Sequence, residues 1–343
     1  MNIKHRYILP FSVILAGLFM FTQGCTKNNE PEPLEFAALK PKVGSPEYYE
    51  ALRNYKKSDH AICFAWWGVS GTPTIGPDMS SRYEGLPDSM DIFSLWGGDP
   101  EPGSSVWKQI QMVRQKKGTR FVRCMFGSGV ERLMKKNDSA LFVNNVMAAI
   151  DNVAKAIADT VSRYQIDGFD LDYEPNFGDA SIFGDQNSSN NVTNDPHTQR
   201  LFKALSQYMG PMSGTDKILM IDGQFDRGIE PYVNYLAQQT YFGSTLTFQG
   251  LQNRFQQYGA GILPSKKFIV TENMQGFGPS GGNFTYNGVN IGSVLGMATW
   301  NPTQGRKGGF GAYLMEYDAL SKPGQGLYYH LRTGIQIQNP AVD

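Results

Sequence analysis

The sequence predicts an α/β fold, a single (β/α)8 TIM barrel, on three observations. Eight short apolar runs read as strands, helical patterns separate most of them, and 343 residues suit one large core with long loops. No internal repeat is present, and roughly 30 to 40 residues per unit is the rhythm of a βα step.

The first residues stand outside that fold. Lys4, His5 and Arg6 precede an apolar run from Ile8 to Phe21. The run is short for a membrane span and, with its basic start, reads as a secretory signal over residues 1–24. Cys25, directly after Gly24, resembles a bacterial lipoprotein site, with Thr22 and Gln23 departing from the usual aliphatic and small residues. That resemblance implies export across the inner membrane, lipidation of Cys25, and contact with the outer membrane or cell surface through the lipid alone. Thr26 to Pro33 is polar and proline-rich, as a tether would be. The division expected is therefore signal 1–24, tether and N-terminal helix 25–57, and barrel 58–343.

Ser45-Pro46 opens that helix, with proline where a helix start tolerates it. Ala61–Trp67 is the first strand, Met90–Trp96 the second and Thr119–Phe126 the third; a Gly/Pro/Ser-rich loop from Gly68 to Gly85 follows the first. A helix from Ser105 to Lys117 ends at Gly118. Val146, Ile150, Val153, Ile157 and Val161 form one apolar stripe, the clearest helix in the chain. It leads into strand four, Ile166–Glu174, and a long Asn-rich loop, Asn176 to Asn194. Asp195-Pro196 caps a helix with Leu201, Leu205 and Tyr208 on its apolar face. Lys217–Gly223 and Val233–Tyr241 are strands five and six, and a helix from Leu246 to Tyr258 precedes strand seven, Lys267–Asn273. A Gly-rich segment, a short helix over Ile291–Ala298 and strand eight, Gly309–Tyr317, complete the series.

Composition excludes some partners. Net charge is zero and only 18% of residues are charged, so neither nucleic acid nor an anionic surface is indicated. Aromatics reach 13%, which suits sugar stacking and equally suits any large core. The four histidines, at 5, 60, 197 and 330, lack ligand spacing, so no catalytic metal and no cofactor is expected. Cys63 and Cys124 lie in apolar strands and read as buried thiols.

Strand four carries the chemistry. Asp170, Asp172 and Glu174 alternate with Phe169, Leu171 and Tyr173, so the three acids share one face. Clustered carboxylates raise the pKa of at least one member, which keeps a proton for general acid catalysis. The same oxygens would also suit a hard cation, and an exposed strand of solvated acids is disfavoured by the apolar opposite face.

Asp167-x-x-Asp170-x-Asp172-x-Glu174 resembles the DxxDxDxE signature of glycoside hydrolase family 18. The resemblance implies a (β/α)8 barrel with this motif ending strand four, and an endo-acting hydrolase whose substrate supplies its own nucleophile, the 2-acetamido oxygen. Glu174 would be the general acid, Asp172 would hold the acetamide and steady the oxazolinium charge, and Asp170 would tune Asp172. Asp167, of opposite parity, reads as structural. Gln239 and Tyr241 match a strand-six pair that binds the acetamide in the family. Trp67, Trp96 and Glu316 lie at strand ends or near loops, where sugars would touch them, and Glu272 ends strand seven. The family's chitinases usually end strand eight with Trp, whereas here it reads Leu314-Met-Glu-Tyr.

That departure puts the chitinase subsite in doubt; the short span between strands seven and eight, and the long Asn-rich loop after Glu174 as a reader of branched antennae, favour the di-N-acetylchitobiose core of N-glycans, or another oligosaccharide of N-acetylglucosamine (GlcNAc), as the partner of a monomeric enzyme. A chitinase is the alternative. A non-catalytic glycan-binding barrel is the other, although such proteins usually lack the final Glu or preceding Asp, and both are present here.

Overall fold

Eight parallel strands close on themselves in chain order: β1 (Ile62–Trp66), β2 (Ile92–Leu95), β3 (Arg120–Phe126), β4 (Gly168–Tyr173), β5 (Ile218–Gly223), β6 (Tyr235–Gln239), β7 (Phe268–Asn273) and β8 (Gly309–Tyr313). The computed structural model describes residues 44–68, 78–184, 192–241, 247–258 and 261–340; the signal, Cys25 and the tether lie outside them. Closure is made by β8 pairing with β1, in the register Ile62 to Gly309. Around this (β/α)8 barrel run α1 (Pro46–Tyr55), α2 (Ser105–Lys117), α3 (Gly127–Asn137), α4 (Ser139–Asn144), α5 (Val146–Arg163), α6 (Pro196–Leu205), α7 (Phe248–Tyr258), α8 (Ser293–Thr299) and α9 (Tyr329–Gln338).

Alternation along each strand divides the core in two. Phe64, Val122, Ile218, Met220, Ala237 and Ile269 fill the barrel interior, while Phe93, Phe121, Phe169, Leu171 and Phe310 belong to the larger layer packed against the helices. Buried helical residues at spacings of three and four, Ile150, Val153, Ile157 and Val161 on α5, supply the other side of that layer.

Several boundaries differ from expectation. Strand eight stops at Tyr313, because Leu314 adopts a left-handed φ of 53° and a 3-10 turn, Met315–Asp318, follows. Helices α3, α4 and α9 were not among the elements expected from the sequence. Tyr208 falls beyond the end of α6 and is exposed. Helix α1 docks beside the N-terminal ends of β2 and β3, where Lys56 donates to the Met90 carbonyl and to Thr119 Oγ1 at 3.0 Å. Among the described residues no helix is long and apolar enough to cross a membrane.

Asp167 sits on the helix side, as its parity requires. Both of its oxygens accept from Arg114 of α2, at 2.7 and 2.6 Å, and Oδ2 also takes the Phe121 amide. It ties α2 and β3 to the start of β4.

Candidate active site

At the C-terminal end of the barrel, β4 turns Asp170 and Asp172 inward, and Glu174 follows half-buried at the rim. Their partners come from strands on both sides. Ser94 Oγ of β2 donates to Asp170 at 2.7 Å, and Trp96 Nε1 donates to Asp172 at 2.9 Å. From β6, Gln239 Nε2 donates to Asp222 at 2.8 Å and reaches Asp172 at 3.4 Å. Asp222 ends the inward row of β5 and stands in register with Asp172. The Cys124 sulfur and one carboxylate oxygen from each of Asp170 and Asp222 lie within 4.8 Å of one another.

Burial sets the electrostatics. It pushes Asp170 up to about 7, and pushes Asp172 and Asp222 well above the usual carboxylate range. The neighbouring charge of Glu174 adds to the rise at Asp172, and that of Asp172 to the rise at Asp222. Glu174 is raised as well, by its own burial first. These acids titrate as a set, and the set holds protons near neutral pH.

Glu174 needs an open neighbour. Gly223 at the end of β5 has φ +87°, and a Cβ there would meet the Tyr173 carbonyl at 2.8 Å and Glu174 Cγ at 3.4 Å. The chain after Glu174 returns over a second anchor: Tyr173 Oη meets Thr193 Oγ1 at 2.8 Å, and Thr193 and the Asp195 amide both bond Asp226 at 2.6 Å.

An aromatic wall stands beside the acids. Tyr313, the last inward residue of β8, has Trp66 at 5.5 Å, Trp96 at 5.6 Å and Tyr241 at 6.0 Å between ring centres, the last nearly parallel. Tyr241 and Tyr313, 24° apart in plane, are the pair that offers an apolar face to a pyranose, with Trp96 edge-on to Tyr313 at 72° and Trp66 buried behind it.

Of the residues singled out in the sequence, Asp170, Asp172, Glu174, Gln239, Tyr241 and Trp96 converge here. Trp67 does not. It points to the helix side, buried and stacked on Tyr83 at 4.9 Å, and Trp66 takes the inward position. Glu316 lies in the turn beyond β8 and folds back onto the Gly68 amide at 2.9 Å. Glu272 also has helix-side parity and is fully buried. Three residues escaped the sequence reading: Ser94, Asp222 and Tyr313. Asp222 and Tyr313 are the last inward members of alternating strands, and counting in twos from the strand starts would have reached them.

A model of glycoside hydrolase family 18, BT1044-like, matches residues 33–337. The chain belongs to that family. Among curated family 18 relatives, endo-β-N-acetylglucosaminidase F2 of Elizabethkingia meningoseptica is 26% identical over 328 residues, which is 90% of each chain. A selenomethionine form of BT1044 with a Glu-to-Gln change superposes with a TM-score of 0.71 at 23% identity, covering 86% of this chain and 93% of that one. The endo-β-N-acetylglucosaminidase of Cordyceps militaris gives a TM-score of 0.61 at 20% identity, over 87% and 98%. The protein is a family 18 glycosidase.

Proposed function

We propose that this family 18 enzyme is an endo-β-N-acetylglucosaminidase that cuts the β-1,4 bond of the di-N-acetylchitobiose core of N-glycans, with retention and with the substrate's acetamide as nucleophile. The observation that carries the reading is the row at the end of β4: a half-buried Glu174 at the rim, with Asp172 two residues below it, held between Trp96 and Gln239. Glu174, its proton affinity raised by burial, gives its proton to the departing glycosidic oxygen. As that bond breaks, the acetamide oxygen bonds to the anomeric carbon and forms an oxazolinium ring. Asp172 accepts from the acetamide N–H and offsets the positive charge that develops there. Glu174 then takes a proton from water, whose oxygen bonds to the anomeric carbon from the face the leaving group vacated as the bond to the acetamide oxygen breaks, so configuration is retained overall. Held in line, an internal nucleophile reaches effective molarities of ~10⁵ M or more, so no second protein nucleophile is needed. Tyr241 donates to the acetamide carbonyl, Gln239 keeps both amide N–H groups on Asp222 and Asp172 and so orients the acid that holds the acetamide, and Tyr313 lies beneath the ring.

Two further facts support an N-glycan over chitin. The F2 relative is named an endo-β-N-acetylglucosaminidase, and only a short hairpin and α8 separate β7 from β8 along the chain, leaving no wall for a deep groove. The enzyme acts as a monomer at the outer membrane or cell surface, held by a lipid on Cys25; Cys25→Ala should release it into the soluble fraction. Assay of purified protein against an N-glycoprotein and against chitin oligomers tests the reading. Glycan released with one GlcNAc left on asparagine supports it; cleavage of chitin alone, or tight glycan binding with no cleavage, overturns it.

A further inference from the structure

We propose that Asp222 is a positioning residue of the active site: a neutral carboxylic acid that donates a hydrogen bond into the Asp170–Asp172 pair while its other oxygen is held by Gln239. The argument begins from its neighbours. Asp222 is 2% exposed, has a carboxylate oxygen within 4.8 Å of one of Asp170, stands in register with Asp172 and shares the Gln239 amide with it. Two carboxyl groups can bond only if one of them carries a proton. Its remaining contact, from Gln239 Nε2 at 2.8 Å, requires an acceptor and so fixes which oxygen carries none. Asp170 has the matching need. One of its oxygens takes the Ser94 hydroxyl, and the other, fully buried, receives no N–H or other hydroxyl.

Among the described residues no cationic side chain pairs with this cluster. The groups facing it are Ser94 and Trp96 from β2, Cys124 from β3 and Glu174 from β4. Gln239 and Tyr241 complete the set from β6, and Tyr313 from β8. Among the described residues no lysine, arginine or histidine forms an ion pair with any of these carboxylates. Three anions at this separation in a dry interior would be held apart by repulsion, whereas shared protons bind them into one rigid unit. Burial raises the proton affinity of all three, which agrees with protons retained inside the cluster.

The consequence is for Asp172. A neutral Asp222, its hydrogen bond given to Asp170, places no second negative charge beside Asp172, which Trp96 holds from the side of β2 while Gln239 spans Asp172 and Asp222. Asp172 is thereby kept in one orientation as its charge changes. No proton leaves Asp222 during turnover; the proton that Asp172 exchanges passes to and from Asp170.

Asparagine reproduces the shape and hydrogen bonding of a protonated aspartate, and leucine reproduces only the shape. Asp222→Asn should therefore keep kcat within about threefold of wild type with KM unchanged. Asp222→Leu should lower kcat about tenfold or more, again with little change in KM, since an ionised acceptor loses a hydrogen bond. In aspartate-selective carboxyl-carbon NMR of the free enzyme at pH 7, wild type should show a protonated carboxyl that Asp222→Asn lacks. Asp222→Asn as damaging as Asp222→Leu would overturn the assignment, as would an Asp222→Asn spectrum that keeps every protonated carboxyl signal of wild type. So would a wild-type spectrum altered by EDTA, which would give the cluster to a cation. The kinetic arm rests on the role proposed above for Asp172, and the NMR arm does not. A wild-type enzyme inactive on N-glycoprotein with the NMR result intact would sink the substrate reading and leave Asp222 assigned; the NMR also decides if Asp222→Leu fails to fold.

Discussion

The acids at the N-terminal end of the barrel and those inside its mouth are met in opposite ways, while beyond the mouth Asp318 pairs with His330 at 2.7 Å and Asp99 with Arg123 at 3.1 Å. At the N-terminal end each is met by a basic side chain: Asp167 by both arms of Arg114, Asp91 by His60 at 2.9 Å and Asp88 by Lys117 at 2.9 Å. At the C-terminal end Asp170, Asp172 and Asp222 meet a hydroxyl, an indole, an amide and one another. Asp167 and Asp172 lie five positions apart in one stretch, so local composition does not distinguish them. Parity does. A carboxylate paired with a guanidinium gives its interaction energy to holding two elements together. One buried without a cation gains proton affinity instead, and proton affinity is what an acid catalyst needs.

The largest effect that tests this contrast is at the rim. Glu174→Gln keeps size and hydrogen bonding and removes the transferable proton, so turnover should fall by ~10²–10⁴-fold with glycan binding retained. Chromatography of released glycan reads the first and calorimetric titration the second. A variant within tenfold of wild type would take the general acid role away from Glu174.

At the other end the expected damage is to folding. Asp167→Asn leaves Arg114 without its bidentate partner, and the pair is partly reached by solvent, with 22% and 12% of the two side chains exposed. A loss of about 2 kcal/mol in urea unfolding follows, with kcat unchanged. A fall in kcat greater than the loss of folded protein would mean that the two ends are not separable.

A smaller effect shows in the pH dependence of stability. An unfolded aspartate ionises near its ordinary 3.8, whereas folded Asp170 holds its proton up to about 7. Between those values the folded chain binds more protons than the unfolded one, so this group's contribution is full below the window and is lost as pH rises through it. Asp170→Asn cannot ionise and removes that slope. Its melting temperature relative to wild type should be higher at pH 8 than at pH 4.5, measured by calorimetry at both. An equal difference at the two values would show that Asp170 is ionised in the folded protein throughout.

What could be read from the sequence follows the range of the interactions. The eight strands were legible as local apolar runs, and the acid row because period-two alternation puts Asp170, Asp172 and Glu174 of one strand on one face. Helix α3 was not, since it begins after Phe126 with no capping side chain. The end of β8 was misplaced because a left-handed leucine, Leu314, stops it, and no local signal announces that. Tyr313 was passed over as a result. Asp222 was missed for a different reason: an isolated acid ending an apolar strand has no pattern of its own, and its meaning comes from a register with Asp172 set by barrel closure.

Register also decides between two adjacent tryptophans, and here the expected effect is smallest. Trp66 and Trp67 follow one another at the end of β1, so one must face the sugar side and the other the helices. Trp67 is the residue on the helix side, 4% exposed, stacked on Tyr83 and edge-on to Phe93 at 5.2 Å. Trp67→Phe preserves an aromatic face but removes ring volume from a close-packed layer, and the surrounding rings can only partly close on the gap. A loss of about 1 kcal/mol in stability should follow, with KM for glycoprotein unchanged. Trp96→Phe makes the informative partner, because it deletes the N–H that Asp172 accepts while sitting at the half-buried rim. It should leave stability nearly intact and lower kcat by about tenfold, the value of one hydrogen bond to a charged group. Should Trp67→Phe raise KM while Trp96→Phe leaves kcat alone, the assignment of inner and outer faces at β1 and β2 would have to be reversed.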